Sequence, residues 1–296
     1  MGERPRLGRS RAALALCCAT LAAACSLPGE DEGSGKSAEG PRTTAVFTPR
    51  EPVDAARLRQ IADLMGRRAE GFGYEDVTVK AGAGRVTVSL RGGSAREIAS
   101  LGKPAVLVFR PVVLLEPSAG GSAALPSGSG SGSGGGSVPG GAEYAALDCS
   151  VPAQRVDHQR GGARWALACA ERAESGAWTK YLLGPVALSG TEIRDAAAVL
   201  DTQNATGWQI RLTFGRSGAR KFAELTGRLA GELSPANQCA MVLDGAVLSA
   251  PLVNSAITGG TAVITGNYTR SSAGRLAAQL GSGSLPTEME VASVTR

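Results

Sequence analysis

A stretch rich in Gly and Ser, residues 118–142, most constrains how this chain can fold. It holds ten of the chain's 41 glycines and shows no hydrophobic periodicity. Such a composition behaves as a flexible linker, because it cannot bury enough apolar surface to offset the entropy lost on ordering. A G-x-G-x-x-G match inside it has no nucleotide-binding meaning, since no predicted strand precedes it and no predicted helix follows it. The 296 residues are therefore expected to form two folded parts joined by this linker.

The N-terminal 25 residues have the pattern of an exported lipoprotein. Four Arg and one Glu in residues 1–11 precede an apolar run, Ala12 to Ala24, with Thr20 as its clearly polar residue. As a helix the run would span about 20 Å, short of the roughly 30 Å hydrocarbon core, which favours a signal peptide over a membrane anchor. Leu21-Ala22-Ala23-Ala24-Cys25 resembles a bacterial lipobox. That resemblance implies lipid on the Cys25 thiol; an ordinary signal peptide with Cys25 incidental is the alternative.

Charge and composition argue against a nucleic-acid partner. Removal of residues 1–24 takes away four Arg and one Glu, which lowers the net charge from +5 to +2. No basic run remains, and aromatic residues make up only 4% of the chain, so few side chains could stack on bases. Residues 26–42 are rich in Gly, Ser and acidic residues and predict a disordered tether. No second stretch approaches 18 continuous apolar residues, so no further membrane span is expected.

The part between tether and linker predicts the order βαββαβ. A helix over Val53–Ala69 is indicated by apolar residues at helical spacing. A hairpin follows, and Ser94 with Glu97 forms a capping box that opens a short second helix. Ala105–Val113 is nearly continuous in apolar residues and predicts the last strand. This order is typical of a ferredoxin-like sheet with helices on one face.

The part after the linker is again of the α+β class. Trp208, Ile210, Leu212 and Phe214 alternate with polar residues and predict a half-buried strand. Glu192–Leu200 is interpreted as a helix. Two further helices are predicted around 219–229 and 273–280, and further strands over 165–169, 180–183, 239–243 and 262–264.

Several short motifs recur in one order and spacing, and together they resemble a known family. The first block ends in Phe109-Arg110-Pro111-Val112. The second part contains Tyr181-Leu182-Leu183-Gly184-Pro185, Leu243-Asp244-Gly245 with Ser249-Ala250-Pro251, Ile264-Thr265-Gly266 with Tyr268-Thr269, and Leu285-Pro286. In this order they resemble the large extracytoplasmic P1 domain of SecD, the accessory subunit of the Sec protein-export machinery. The resemblance covers residues 43–113 and 147–296.

The resemblance implies a two-part domain, a ferredoxin-like base and an inserted head. It further implies binding of unfolded secreted polypeptides or of Sec translocase membrane components. SecD has membrane helices with ionisable residues around this domain, whereas this chain is expected to be a stand-alone lipoprotein without them. We therefore expect fold and polypeptide binding to carry over, but not proton-driven translocation. The predicted division is signal peptide 1–24, tether 25–42, base 43–117, linker 118–142, head 143–284 and a C-terminal strand 285–296 returning to the base.

Three cysteines remain in the mature chain besides Cys25. Cys149 and Cys169 flank a poorly patterned segment, and we predict that they form a disulfide bond in an oxidising compartment. Closing a loop of about 20 residues would stabilise the fold by roughly 3 kcal/mol. Two separate thiols are the alternative. Cys239 lies in an apolar strand and is interpreted as a small buried side chain.

Candidate sites for chemistry are scarce, so the chain is predicted not to be an enzyme and to need no cofactor or metal. His158 lies in a polar loop and is interpreted as solvated. Ser100 and Lys103 match S-x-x-K, but Gly102 breaks the helical turn that this motif needs. Trp178, beside Gly176 and Thr179, is the candidate surface for contacting polypeptide, with a core position as the alternative.

The sequence thus predicts a lipid-anchored SecD-like domain on the outer face of the cytoplasmic membrane, acting in protein translocation. A cell-envelope binding lipoprotein that kept the fold but serves another process, such as cell-wall assembly, is the alternative.

Overall fold

The computed structural model describes residues 41–118, 140–155, 165–171, 177–202 and 207–296. The signal peptide, Cys25, nearly all of the tether, most of the linker and His158 lie outside these ranges. Within them, no helix has both the length and the apolar character needed to cross a bilayer. The strands are β1 Arg42–Pro49, β2 Glu75–Gly82, β3 Arg85–Arg91, β4 Leu107–Ser118, β5 Ala166–Glu171, β6 Trp178–Leu183, β7 Leu188–Ser189, β8 Ile193–Asp201, β9 Gly207–Phe214, β10 Cys239–Leu243, β11 Ala246–Ser249, β12 Thr261–Tyr268 and β13 Met289–Thr295. The α-helices are α1 Ala55–Gly71, α2 Ala95–Ser100, α3 Gly141–Ala146, α4 Arg216–Leu229 and α5 Arg270–Ser282.

The base is an antiparallel sheet in the order β13-β1-β3-β2, with α1 and α2 against it. Asp54 starts α1 by accepting a hydrogen bond from the Arg57 amide. The predicted capping box is present at α2, where Ser94 and Glu97 satisfy each other's backbone amides. The apolar face of α1 and the inward residues of β1 and β3 form one buried core. The ferredoxin-like arrangement and the α+β class are confirmed.

The last strand of the base differs from the prediction. Residues 105–113 were expected to close the βαββαβ sheet, but β4, which contains most of them, lies in another sheet, between β10 and β6. The C-terminal strand β13 takes the fourth position by pairing with β1, from Thr44 opposite Thr295 to Pro49 opposite Met289. An apolar run is compatible with any buried strand, so its composition could not reveal which sheet it joins.

The head, formed by the described residues between 105 and 282, contains two sheets around a shared apolar core, so β4 belongs to it and not to the predicted base of residues 43–117. A three-stranded sheet in the order β12-β9-β8 packs with α4 and α5. The second sheet has the order β11-β10-β4-β6-β5, with β7 pairing to β4 next to β6. Its edge strands β5 and β11 both contribute to a second buried cluster, through Ala166, Ala168 and Val247. The sheet is therefore curled so that its two ends face the same interior.

Residues 192–200 correct a second prediction, because residues 193–200 belong to β8 and Glu192 ends a short 3-10 turn, so none of them lies in an α-helix. β8 pairs along β9 from Ile193 to Asp201. Ala196 and Ala198 are partly buried against the head core, and Ala196 lies beside Gly281 of α5. Their small side chains let α5 pack closely on the sheet, so tertiary packing overrides the helix propensity of alanine.

Arg68 of α1 joins base and head where the chain passes between them. Its side chain is fully buried, and the guanidinium donates to the carbonyl oxygens of Leu101, Lys103 and Pro104 on the outgoing connection. On the returning connection it donates to the Ser282 hydroxyl at 2.9 Å and the Gly283 carbonyl at 2.7 Å. Burial lowers the pKa of Arg68 to about 10, so the side chain stays ionised at neutral pH. One cation therefore holds both connections together.

Candidate functional site

An open apolar groove of about 400 Å³ lies in the head between the two sheets. We call it the head groove. Its floor is formed by Phe109 of β4, Phe222 of α4 and Cys239 and Met241 of β10. One wall is the segment 251–253 with Ile257, and the other is β12. The volume is at the lower end of the range typical of ligand sites.

Three aromatic rings pack against each other at the floor of the head groove. The ring centroids of Phe109 and Phe222 are 5.7 Å apart in an edge-to-face arrangement, and Phe214 lies 5.5 Å from Phe109 and 4.9 Å from Phe222. Such aromatic pairs contribute about 0.5–1.5 kcal/mol beyond their buried area. The sequence places these residues on β4, β9 and α4, each at an inward position of its element.

The wall formed by residues 251–253 is held in place by main-chain hydrogen bonds to the start of β10. The Cys239 amide donates to the Pro251 carbonyl at 3.1 Å, and the Val253 amide donates to the Asn237 carbonyl at 2.8 Å. Leu252 between them keeps 56% of its surface exposed. This wall therefore holds the main chain beside Leu252 in place and exposes its apolar side chain at the mouth of the groove.

Cys239 is suited to packing and not to reaction. Its side chain is buried in the floor, and burial raises the pKa of its thiol to about 12. Because the thiolate is the reactive form, the thiol is nearly inert at neutral pH.

Trp178 lies away from the head groove, at the start of β6. It is half-buried, and the Arg155 guanidinium lies 4.2 Å from the centre of its ring. Contact of Trp178 with polypeptide stays a prediction.

The structure brings Cys149 and Cys169 together in a disulfide bond. Their Cα atoms are 5.9 Å apart, and the two residues are separated by 20 positions in the sequence. Near this bond Lys180 of β6 is buried, 3.5 Å from the Glu116 carboxylate, with its ammonium group 4.7 Å from the centre of the Tyr144 ring. The disulfide and the contacts of Lys180 hold α3 and the loop that follows it against β5 and β6.

The remaining candidates do not assemble a site for catalysis in the described ranges. The Ser100 hydroxyl donates to the Glu97 carbonyl, and Lys103 pairs with Glu288, so the S-x-x-K residues serve local structure. Asp244 uses its carboxylate to accept from the Ala105 and Val106 amides. No group of three His, Cys, Asp or Glu side chains among the described residues could hold a metal ion.

The residues around the head groove were not identified from the sequence as a site. Two of them, Pro251 and Thr265, belong to the short motifs that carry the family resemblance. The motif residue Phe109 contributes to the floor. The sequence therefore contained a signal, because three groove residues belong to the family motifs. Only the fold shows that these residues line the same groove.

The comparisons with known proteins agree with the fold. Residues 168–287 match the family model of the P1 head subdomain of SecDF. The protein translocase subunit SecD of Streptomyces coelicolor is 43% identical over 155 residues, which cover 52% of this chain and 27% of that protein. The subunit SecDF of Thermus thermophilus is 43% identical over 112 residues, covering 38% of this chain and 14% of that protein. The chain thus spans about a quarter or less of the length of these curated relatives.

Two solved structures of SecDF are similar over 86% of this chain. A crystal structure of SecDF in its super-membrane-facing form has a TM-score of 0.55 and 28% identity, with 30% of that chain covered. A structure of SecDF, described as a membrane component that enhances protein export, has a TM-score of 0.54 and 27% identity. In that second case 99% of the solved chain is covered.

Proposed function

The chain contains a P1 domain of the SecD family, and on this premise we propose that it takes part in protein translocation by binding unfolded secreted polypeptide in the head groove. The observation that supports this most is the open apolar groove itself, with Leu252 exposed at its mouth and aromatic rings in its floor. Unfolded chains expose apolar side chains that folded proteins bury, so an open apolar groove favours them over folded partners.

The proposal extends to where the protein acts. Lipid on Cys25 would hold the domain at the outer face of the cytoplasmic membrane, with residues 26–42 as a spacer. As a flexible coil this spacer would reach about 20–25 Å. The domain would there meet secreted polypeptides as they emerge and Sec translocase membrane components, which is consistent with relatives named protein translocase subunits.

The polypeptide-binding proposal is tested by placing a charge in the groove. The probe is a fluorescently labelled secreted protein kept unfolded by reduction and alkylation of its cysteines. Leu252→Asp is expected to weaken binding at least tenfold, about 1.4 kcal/mol. Leu233→Asp is the matched control, because Leu233 is 86% exposed and does not line the groove. Equal affinity of the Leu252→Asp variant and the parent chain would overturn the proposal.

The anchor has a separate test in cells that process the signal peptide. Cys25→Ala is expected to move the protein from the membrane fraction to the soluble extracytoplasmic fraction. Retention of the variant in the membrane at the level of the parent chain would show that Cys25 is not the anchor.

A further inference from the structure

The head groove is bordered by an unpaired sheet edge. Among the strands of the described residues, β12 has a hydrogen-bonded neighbour on one side only, in the order β12-β9-β8. The Phe214 amide donates to the Gly260 carbonyl at 2.9 Å, and the register then places Thr261 opposite Thr213 and Ala262 opposite Leu212. Because hydrogen-bonded pairs alternate in an antiparallel ladder, Ala262 uses its main-chain groups for β9.

The residues between those ladder positions face the groove with their main chains. By the same alternation, the N–H and C=O groups of Thr261 and Val263 point away from β9, toward the free edge. Both residues line the head groove, as does Thr265 further along β12. An edge strand with free main-chain donors and acceptors is a template for pairing with another extended chain.

The opposite wall has a similar arrangement. The Cys239 amide bonds the Pro251 carbonyl, and the Val253 amide bonds the Asn237 carbonyl, on either side of the Gln238–Leu252 bridge. This pattern leaves the main-chain groups of Leu252 turned away from β10. The groove therefore combines an apolar floor with backbone polar groups at its sides. Such a lining suits an extended peptide strand better than a compact apolar ligand, which could not bond the backbone groups.

We propose that the head groove takes up an extended polypeptide segment as an additional strand on the free edge of β12. This inference rests on the proposed function and specifies the form in which the polypeptide binds. Main-chain hydrogen bonds to Thr261 and Val263 supply affinity without regard to sequence, and every second side chain enters the apolar floor. From Thr261 to Thr265 the strand covers about 17 Å, enough for roughly five residues of the partner.

The proposed partner is therefore an unfolded segment with apolar residues at alternate positions and no proline at the pairing positions. Proline lacks the N–H that the edge needs, and a folded protein has already used its main-chain groups internally. A groove that bound its partner through side-chain contacts alone would not require the partner's main chain to be extended.

The test uses a labelled nine-residue peptide in which apolar and polar residues alternate, bound to the full chain. Two further versions carry N-methyl groups on the main chain at the odd or at the even positions. One of the two is expected to lose at least tenfold in affinity, because its methylated amides face β12. If both versions bind as tightly as the unmodified peptide, strand pairing is overturned while the proposed polypeptide binding still stands. If the unmodified peptide and the unfolded protein both fail to bind, the proposed function fails as well.

A protein variant gives an independent readout. Val263→Pro removes a main-chain N–H that faces the groove and none that bonds β9, so the strand is expected to stay folded. We expect affinity for the unmodified peptide to fall at least tenfold. Leu200→Pro is the matched control on β8, the other edge strand of the same sheet. Leu200 is exposed and lies opposite Trp208, and by the same alternation its main-chain N–H and C=O groups point away from β9. Unchanged affinity in a folded Val263→Pro variant would contradict the proposal.

Discussion

Gly184 lies so close to Pro111 that a Cβ atom on residue 184 would come within 2.8 Å of the proline ring. The same two residues share a hydrogen bond, from the Gly184 amide to the Pro111 carbonyl at 2.9 Å. The buried Arg110 guanidinium donates to the Gly184 carbonyl at 2.7 Å. Two motifs that are far apart in the sequence therefore meet beside β4. They meet at the gap between β6 and β7, two strands that both pair with β4.

Gly184→Ala is expected to lower the free energy of unfolding by about 1–3 kcal/mol, because the added methyl group forces the Pro111 ring or the β4 main chain to move. Urea unfolding of the two chains measures this difference. Gly82→Ala is the control, since its Cβ would meet no atom within 4 Å, and it should stay within about 0.5 kcal/mol of the parent. Equal stability of the Gly184→Ala variant and the parent would show that the contact relaxes without cost.

Arg68→Met is expected to destabilise the fold by at least about 3 kcal/mol. The substitution leaves the buried Leu101 carbonyl and the partly buried Lys103 carbonyl without the Arg68 donor, whereas the Pro104 carbonyl keeps its bond from the Leu285 amide. Each unsatisfied buried group costs about 1–3 kcal/mol. Arg68→Lys should be intermediate, because an ammonium group keeps the charge but cannot reproduce the planar fork. Arg67→Met, at the exposed neighbouring position on α1, should change stability by less than about 0.5 kcal/mol. Thermal and urea unfolding distinguish these outcomes.

Local patterns predicted most helices and strands, and they failed where long-range packing decides. The alternation over residues 208–214 and the capping box at Ser94 depend on neighbouring residues, so both predictions are confirmed. The alanines of β8 favour a helix in isolation but form a strand under α5. Whether β4 or β13 closes the base sheet depends on pairing between residues far apart, which no local pattern contains.

The same contrast between local patterns and long-range packing holds for Arg68 and for the head groove. Arg68 continues the spacing of Ile61 and Met65 on the apolar face of α1, so its burial had a signal in the sequence. Its partners, main-chain carbonyls of two distant connections, had none. The head groove was likewise not predictable, because its floor and walls come from β4, α4, β10 and β12 and meet only in the fold.

Loss of the Cys149–Cys169 bond is expected to lower the free energy of unfolding by about 3 kcal/mol. The bond joins residues 20 positions apart, and closing a loop of this length restricts the unfolded chain by about this amount. The double substitution Cys149→Ala with Cys169→Ala measures this. Thiol labelling of the chain with Cys25 lipidated should modify one cysteine in denaturant and three after reduction. In the folded chain the buried Cys239 should react slowly at neutral pH, because its pKa is raised to about 12. Rapid labelling of two further cysteines before reduction would contradict the disulfide.

The charged contacts of Glu288 should make stability depend on pH in the acid range. Its carboxylate lies 2.8 Å from the Lys103 ammonium and 3.0 Å from the Arg50 guanidinium, and its side chain is only 14% exposed. The hydrogen bond from Lys103 lowers the pKa of Glu288 below its ordinary value of 4.5, although burial opposes this. A lowered folded pKa means that the contribution to stability is present above about pH 4.5 and is lost as the pH falls through the folded pKa.

Glu288→Gln is therefore expected to lower the free energy of unfolding by about 0.5–1 kcal/mol at neutral pH, because both partners are largely exposed and solvent screens the contacts. The difference from the parent should shrink as the pH falls through the lowered folded pKa of Glu288, since the parent carboxyl group then also becomes neutral. Glu290→Gln is the matched control, because Glu290 is 61% exposed and 3.9 Å from Arg50. Urea unfolding at a series of pH values tests this, and a Glu288→Gln difference that stays constant with pH would show that the lost interaction is not ionic.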